Sequence, residues 1–416
     1  MDFLVRVRAR SGLRLRLHSP LRSPPGPARS ALGVAAALVL AAGAAHADPA
    51  PVWRIGMVTA LTGPAQALGT NMRRGVEAYF ALRNQRGGVA GRSLELIARD
   101  DGYEPGKTGP AMRSLIDDEH VFAVVGNVGT PTAVVAMPIA NEKHVPLFAA
   151  YTGAGVLRKS PPDRYIINYR ASYAEETAEM VRGLTQELEI PPSEIAFFTQ
   201  NDAYGDAGWK GGVAALVRAG YHDAEHAPHG RYPRNTLDVE DGLSRLIDPR
   251  HRVRAVIMIG AYKPCARFIR LARRHGLDAI FINVSFVGSE ALAEELGPDG
   301  EGVVVTQVVP PPEGDTEAAR EFQQAVSAEQ RNYVAFEGFL AGRAFAAALD
   351  RAGAGATPDT MITALESGAA FDLGLGARHA LSKTEHQFSH QVWSTVIRHG
   401  KLVPLAAWRT LAGGGR

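Results

Sequence analysis

Short apolar runs alternate with amphipathic stretches of helical length along most of the chain. The runs are nearly continuously apolar and rich in β-branched residues, which is typical of parallel strands covered on both faces. In the first half the predicted strands are RIGMVT, SLELIA, VFAVVG and VPLFAA. The predicted helices between them span residues 72–86, 108–119 and 132–143. This series of strands and helices predicts an α/β domain.

The same series begins again after the segment YIINYR. Helices are predicted at 174–188, 206–219 and 264–275, and strands at EIAFFTQ, RAVIMIG and AIFIN. A further strand, GVVVTQV, precedes helices at 316–328 and 334–351, and the strands QVWSTVIR and KLVPLAAW close the chain. The pattern therefore predicts two doubly wound, Rossmann-like lobes of similar architecture.

The first 47 residues have the order of a secretory signal peptide. Seven arginines precede a 15-residue apolar stretch at 31–45, which ends in Ala45-His46-Ala47. The stretch is shorter than the roughly 20 residues that a membrane-spanning helix needs. We therefore expect export to the periplasm and cleavage after Ala47. The only cysteine is Cys265, so no lipid attachment at a new N-terminal cysteine is expected.

Removing this leader changes the sign of the net charge. The chain has net charge +2, and the leader carries seven arginines against Asp2, so the remainder has about −4. Nucleic-acid binding, which needs clustered Lys and Arg, is therefore not expected. We expect a soluble monomer without disulfide bonds.

Several segments only partly match catalytic or metal-binding motifs. Gly106-Lys107-Thr108 looks like the end of a phosphate-binding loop, but Asp101 stands where the first glycine is required. The histidine-rich run at 221–229 matches no metal spacing and is interpreted as a solvated polar segment. No G-x-S-x-G elbow is present, and Cys265 has no local catalytic signature. The sequence thus predicts neither an enzyme nor a metal or cofactor site.

Loops at the carboxyl ends of predicted strands are suited to hold a small molecule. The segment 126–132 ends a strand and begins a helix, so it offers a hydroxyl and free NH groups where an anion is favoured. The segment 150–155 ends the next strand in the same way. Tyr204, Tyr262 and Phe286 stand at comparable strand ends in the second lobe. A ligand site between the lobes is therefore predicted.

Five motifs in chain order resemble the periplasmic Leu/Ile/Val-binding protein family, the type I solute receptors of ABC importers. They are RIGMVTALTGPAQALG, the DD-Y-P run at 100–105, VVGNVGTPT, FFTQNDAYGDAG and MIGAYKPCARFIRLARRHGL. The resemblance implies two lobes joined by a three-crossing hinge that close on ligand. Its lobes would comprise residues 48–170 with 307–388, and 171–306 with 389–416. A membrane permease with ATPase subunits would be the partner.

The resemblance also implies roles for individual residues. The loop at Gly129 and Thr130 would bind the ligand carboxylate through a hydroxyl. Further backbone contacts to the carboxylate and ammonium would come from Tyr151, Thr152 and Gly153, and Tyr204 and Tyr262 would cover the ligand from the second lobe. Phe286 would add to the apolar wall. Leu68 replaces a residue that is often aromatic in the family, which alters the pocket wall.

One departure from the family concerns the ligand's amine. Ser285 stands where the family's amino acid binders place an acid. Glu337 could substitute for that acid, but it is interpreted first as a solvated helix residue. Because a buried ammonium without a counter-charge is costly, a keto or aromatic acid would bind more tightly than leucine. The predicted function is the binding subunit of an ABC importer for a hydrophobic amino acid or related carboxylate. The alternative is a periplasmic sensor of the same fold.

Overall fold

The structure is a computed structural model that describes residues 52–411 of the 416-residue chain. The predicted leader and its cleavage site lie outside the described residues. Between residues 52 and 411, no helix is both long enough and apolar enough to cross a membrane.

Fourteen strands form two large sheets and a two-stranded ribbon within the described residues. Their bounds are β1 Val52–Thr59, β2 Ser93–Asp100, β3 Ala123–Val125, β4 Leu147–Phe148, β5 Ile166–Ile167, β6 Ile195–Gln200, β7 His229–Tyr232, β8 Ala255–Ile259, β9 Ile280–Asn283, β10 Val304–Gln307, β11 Phe371–Asp372, β12 Arg378–His379, β13 Trp393–Arg398 and β14 Lys401–Pro404.

Eleven α-helices connect and cover these strands in the same part of the chain. Their bounds are α1 Gln66–Gln85, α2 Pro105–Arg113, α3 Thr130–Lys143, α4 Tyr173–Arg182, α5 Ala203–Arg218, α6 Glu240–Leu246, α7 Tyr262–Arg274, α8 Ser289–Leu296, α9 Glu317–Ala325, α10 Tyr333–Ala352 and α11 Pro358–Leu365.

Each lobe is built on one sheet. The first sheet has the order β2-β1-β3-β4-β5 and is parallel throughout. The second has the order β14-β13-β10-β9-β8-β6-β7, with an antiparallel edge formed by β13 and β14. Every residue of β6 and β8 is buried, since helices cover both faces. The predicted fold of two doubly wound lobes is thereby confirmed.

Close helix packing in the first lobe depends on two glycines. A Cβ on Gly75 of α1 would lie 1.9 Å from the carbonyl oxygen of Ala335 in α10. A Cβ on Gly338 of α10 would lie 2.3 Å from the carbonyl oxygen of Met72. The backbones of these two helices can approach this closely only because neither glycine carries a side chain.

Some predicted elements differ from the structure in length or position. Strand β4 has two residues and β14 ends at Pro404, because the flanking residues form loops and turns. Helices α6, α8 and α11 were not predicted, because they are only seven or eight residues long. Four of the nine residues of the histidine-rich run are exposed, Ala224 and Ala227 are buried, and its last residue, His229, begins β7. The lobe boundaries inferred from the family stay a prediction.

Candidate functional site

The strand order reverses once in each sheet, and the candidate site lies where these reversals meet. They occur between β1 and β3 in the first sheet, and between β6 and β8 in the second. Open α/β sheets bind ligands outside the carboxyl ends of strands at such points. Here the chain leads to Thr130 after β3, to Tyr204 after β6 and to Tyr262 after β8. Gln200, at the end of β6, donates to the hydroxyl of Tyr103 in the first lobe at 3.0 Å, so the two crevices face each other.

Three hydroxyl groups converge in this cleft and form what we call the hydroxyl cluster: Thr130, Thr152 and Tyr173. The Oγ1 atoms of Thr130 and Thr152 are 2.6 Å apart, and Thr152 Oγ1 is 3.3 Å from the hydroxyl of Tyr173. Thr130 is the first residue of α3, and Tyr173 is the first residue of α4. The cluster therefore joins the amino ends of two helices from different parts of the fold.

The amino end of α3 has no side-chain cap. Its N-cap residue is Gly129, whereas α4 and α5 are capped by Ser172 and Asp202. Gly129 has φ of 106°, and a Cβ there would lie 2.1 Å from the ring of Tyr103. Glycine is thus required by both conformation and space. Because the first NH groups of a helix have no partner within it, this end can donate to an anion.

Aromatic rings form the apolar part of the cleft. The ring of Phe286 has its centroid 4.5 Å from Tyr204, 5.3 Å from Tyr151 and 6.0 Å from Tyr103. The ring of Tyr173 packs next to these aromatic rings, with its centroid 5.3 Å from that of Tyr204. These five rings are almost completely buried and come from both lobes. They bring together Tyr151, Tyr204 and Phe286, whose contact with a ligand stays a prediction.

The hydroxyls of the buried tyrosines have partners within the protein. Tyr151 donates to the carbonyl of Ser285 at 3.1 Å, and Tyr204 donates to the carbonyl of Gly260 at 3.3 Å. Burial raises the pKa of Tyr151 and of Tyr204 well above the ordinary value. Both rings therefore remain neutral and act as hydrogen-bond donors at physiological pH.

A cavity of about 760 Å³ opens beside the hydroxyl cluster. Thr130, Gly153 and Tyr173 stand on its wall, and most of the remaining lining is small and apolar. A Cβ on Gly153 would lie 2.6 Å from the ring of Tyr173, so glycine is needed for the ring to stay in place. The volume is within the usual range for small-molecule sites, roughly 300–1,000 Å³.

An acid does reach Ser285, but it comes from another element. The backbone NH and the hydroxyl of Ser285 donate to Glu176 of α4 at 2.7 and 3.0 Å. The Ser285 hydroxyl also accepts from Arg170, and the Arg170 guanidinium lies 4.5 Å from the centre of the Tyr151 ring. Sequence reasoning missed this contact because Glu176 is 109 residues away along the chain.

The interpretation of Glu337 as a solvated residue is wrong. Its side chain is buried, and its Oε1 lies 3.4 Å from Nε of Arg170. The separation fits an ion pair, although Nε of Arg170 has no partner with hydrogen-bond geometry in the described residues. Burial raises the pKa of Glu337, and the nearby Arg170 opposes that shift. Glu337 is thus part of a buried network of charged side chains that includes Arg170 and lies behind the cleft.

Of the predicted site residues, Thr130 and Gly153 line the cavity found among the described residues. The others do not: Leu68, Gly129, Tyr151, Thr152, Tyr204, Tyr262, Ser285 and Phe286. Tyr262 is buried against the start of α1, where the backbone of Ala67 hydrogen-bonds to it. Leu68 packs on Gly288 of the second lobe, where a Cβ would lie 2.5 Å from its Cδ2 atom. These two residues therefore contribute to contact between the lobes in this conformation.

The residues of the site that were not predicted include Tyr103, Arg170, Tyr173 and Gln200. The best available signal for Tyr173 was the spacing of Ser172 and Glu175, which form a capping box at the start of α4. Arg170 and Gln200 carry no comparable local pattern, because their partners are distant in sequence.

The comparisons with known proteins agree with this architecture. A family model described as "Periplasmic binding protein" matches residues 52–401. A possible leucine/isoleucine/valine-binding protein from Rhodopirellula baltica SH 1, whose crystal structure is known, is 45% identical. The match covers 88% of this chain and 99% of that chain, with a TM-score of 0.83. The chain therefore belongs to the periplasmic binding protein family, in its Leu/Ile/Val-binding branch, and the predicted resemblance is confirmed.

More distant relatives extend the comparison. Leu/Ile/Val-binding protein homolog 7 from Brucella abortus (strain 2308) is 28% identical over 258 residues, which are 57% of this chain and 61% of that protein. The chain thus spans about three fifths of the length of that relative. A branched-chain amino acid ABC transporter protein from Thermus thermophilus, solved with bound valine, is 20% identical with a TM-score of 0.72 over 88% of this chain and 100% of that one. That likeness shows the fold alone.

Proposed function

We propose that the protein is the periplasmic substrate-binding subunit of an ABC importer, and that it captures a small apolar carboxylate between its two lobes. The observation that carries this proposal is the hydroxyl cluster at the uncapped amino end of α3, on the wall of a cavity of about 760 Å³. The proposed roles of Gly129, Thr130, Thr152 and Gly153 follow from it.

The chemistry of the cluster suits a carboxylate. Thr130, Thr152 and Tyr173 supply hydroxyl donors, and the first NH groups of α3 add donors beside the positive end of the helix dipole. Hydrogen bonds to a charged group contribute about 1.5–3 kcal/mol each. Since the hydroxyls come from separate elements, a bound carboxylate would hold those elements together.

The apolar body of the ligand would lie against small and aromatic side chains. Ala154, Val156, Ala203 and Ala207 line the cavity, and the ring of Tyr173 stands beside them. Apolar burial contributes about 25 cal/mol per Å². The remaining aromatic residues, Tyr151, Tyr204 and Phe286, support that wall from behind. Tyr262, Leu68 and Ser285 would then act on lobe closure and on the charge network.

Transport, rather than chemical conversion, fits both the relatives and the side chains. The Thermus thermophilus relative is described as a branched-chain amino acid ABC transporter, and a Thermomonospora curvata relative of the same fold as a fatty acid ABC transporter substrate-binding protein. Burial raises the pKa of the Cys265 thiol, which is the opposite of what a nucleophile needs. We therefore propose delivery of an unmodified ligand to a permease with ATPase subunits.

Calorimetric titration with leucine, valine and their keto acids tests the proposal. At least one of these carboxylates should bind, and Thr130→Val should weaken its binding by about 10- to 100-fold, the equivalent of one hydrogen bond to a charged group. Thr185→Val is the matched control, since Thr185 donates only to the carbonyl of Val181 in its own helical segment. Equal affinity in both variants would refute the assignment of the carboxylate to this cluster.

A further inference from the structure

We infer that the preferred ligand is a carboxylate without an amino group, such as a branched-chain keto acid or a fatty or aromatic acid. This inference rests on the proposed function, because it concerns the ligand of the same cleft. An amino acid brings an ammonium group into the site, and that group needs a counter-charge once it leaves water.

The acids on the cavity wall already have cationic partners. Two acidic residues, Glu175 and Asp206, line the cavity. Glu175 lies 2.6 Å from Nδ1 of His390, and its other oxygen accepts from Ser172. Asp206 lies 2.5 Å from Arg231. Both carboxylates are therefore already engaged, and an incoming ammonium would have to share them with His390 and Arg231.

The two acids behind the cleft are also engaged. Glu176 accepts from Ser285 and from the Thr306 hydroxyl at 2.6 Å, and Glu337 faces Arg170. Both carboxylates are buried and neither lines the cavity. Arg170 offsets only one of these two negative charges, but because neither carboxylate reaches the cavity wall, neither can pair directly with a ligand ammonium there.

The cleft instead presents positive charge to a ligand. The guanidinium of Arg158 stands on the cavity wall, donates to the carbonyls of Ala154 and Arg170, and keeps its charge at neutral pH because its pKa falls only to about 10 on burial. Lys210, also on the wall, has no acid within 4.0 Å in the part of the chain that the structure describes. Arg170 is fully buried and does not line the cavity. These cations repel an ammonium and attract a carboxylate.

The neutral acceptors near the site do not change this balance. The carbonyls of Ser285 and Gly260 already accept from Tyr151 and Tyr204. The side-chain oxygen of Asn127 is buried without a partner, but an amide oxygen carries no net charge. A ligand ammonium would therefore meet dipoles, cations and carboxylates that already have partners.

Paired titrations on one sample of the whole mature protein test this inference. Leucine is compared with 4-methyl-2-oxopentanoate, its keto acid, and phenylalanine with 3-phenylpropionate. We expect each amine-free acid to bind at least tenfold more tightly than its amino acid. Tighter binding of leucine would overturn the inference and leave the proposed function intact. Failure of every carboxylate to bind would count against the proposed function itself.

A designed change of charge provides a second, independent test. Ala203 lines the cavity at the first residue of α5, where an acidic side chain is compatible with the helix. Ala203→Asp should weaken binding of the keto acid at least tenfold relative to Ala203→Asn, which has the same shape without the charge. It should also shift the ratio of affinities toward leucine. Equal ratios in the two variants would contradict the inference.

Discussion

We propose that closure of the lobes is stabilised by an ion pair and hydrogen bonds that we call the rim latch, formed by Glu104, Arg234 and Asn235. Glu104 precedes α2 in the first lobe, and the other two residues follow β7 in the second. Arg234 donates to Glu104 and to Asp202, both at 3.0 Å. Asn235 donates to the other oxygen of Glu104 at 2.6 Å. The latch contacts no residue of the cavity wall, so it acts on closure and not on the ligand itself.

We predict that Glu104→Gln weakens ligand binding modestly. The side chains of Arg234 and Glu104 are 24% and 40% exposed, so solvent screens their attraction. A pair of this kind contributes about 0.5–1 kcal/mol. The dissociation constant should therefore rise about two- to fivefold. If the contact is absent from the open form, the change should appear mainly in the dissociation rate, and it should shrink at high salt.

The assay is stopped-flow binding, with whichever of leucine and its keto acid binds more tightly. The control is Glu77→Gln, which removes an ion pair of similar exposure within α1, between Arg73 and Glu77. An unchanged dissociation rate in Glu104→Gln, or an equal change in the control, would show that the rim latch does not stabilise closure.

Three further predictions concern the cluster, the core and pH. Tyr173→Phe should raise the dissociation constant for the same ligand about 10- to 100-fold in calorimetry, because one hydrogen bond of about 1.5–3 kcal/mol to the carboxylate is lost; no change would remove Tyr173 from the site. Gly75→Ala should lower the free energy of unfolding by about 1–3 kcal/mol in urea titrations, since a Cβ there meets the Ala335 carbonyl, whereas wild-type stability would contradict the tight packing of α1 on α10. Burial lowers the pKa of His229 from 6.5 to about 4, so the folded state keeps this ring neutral and loses stability as pH falls from 6.5 toward 4. Unfolding experiments on His229→Gln should show a shallower loss over that window, by at most about 2–3 kcal/mol, and an identical slope would refute the assignment.

The alternation of apolar runs and helical stretches was sufficient to predict the two-lobed fold, because fully buried strands such as β6 and β8 need apolar residues on both faces. Short helices were missed for a physical reason. Helices α6 and α8 span two turns, too few for a periodic pattern to stand out, and packing against the sheet rather than local preference stabilises them.

A site residue could be predicted only where its side-chain chemistry and its position at a strand end both indicate ligand binding. Thr130 and Tyr204 lie at the starts of the helices that follow β3 and β6, next to the strand reversals. Their position could therefore be inferred from the order of elements. The network of Arg170, Glu176 and Glu337 could not, because its members come from separate elements and meet only after folding. Glu337 occupies a helix whose residues up to Ala346 are nearly all buried, and no neighbouring residue in sequence reveals its ion-pair partner.

Export of the chain and the extent of each lobe stay predictions. Amino-terminal sequencing of periplasmic material should give a chain beginning at Asp48 if cleavage follows Ala47. A membrane-bound product that retains residues 31–45 would contradict this.

The most direct test of the account is a crystal structure of the protein with its tightest-binding carboxylate. The account predicts that the ligand carboxylate lies between the lobes, within hydrogen-bond distance of the Thr130 and Tyr173 hydroxyls and of the first NH groups of α3. The apolar body should extend into the cavity lined by Gly153 and Ala203. A carboxylate bound elsewhere, or one held by Arg158 or Lys210 without contact to Thr130, would contradict the central claim.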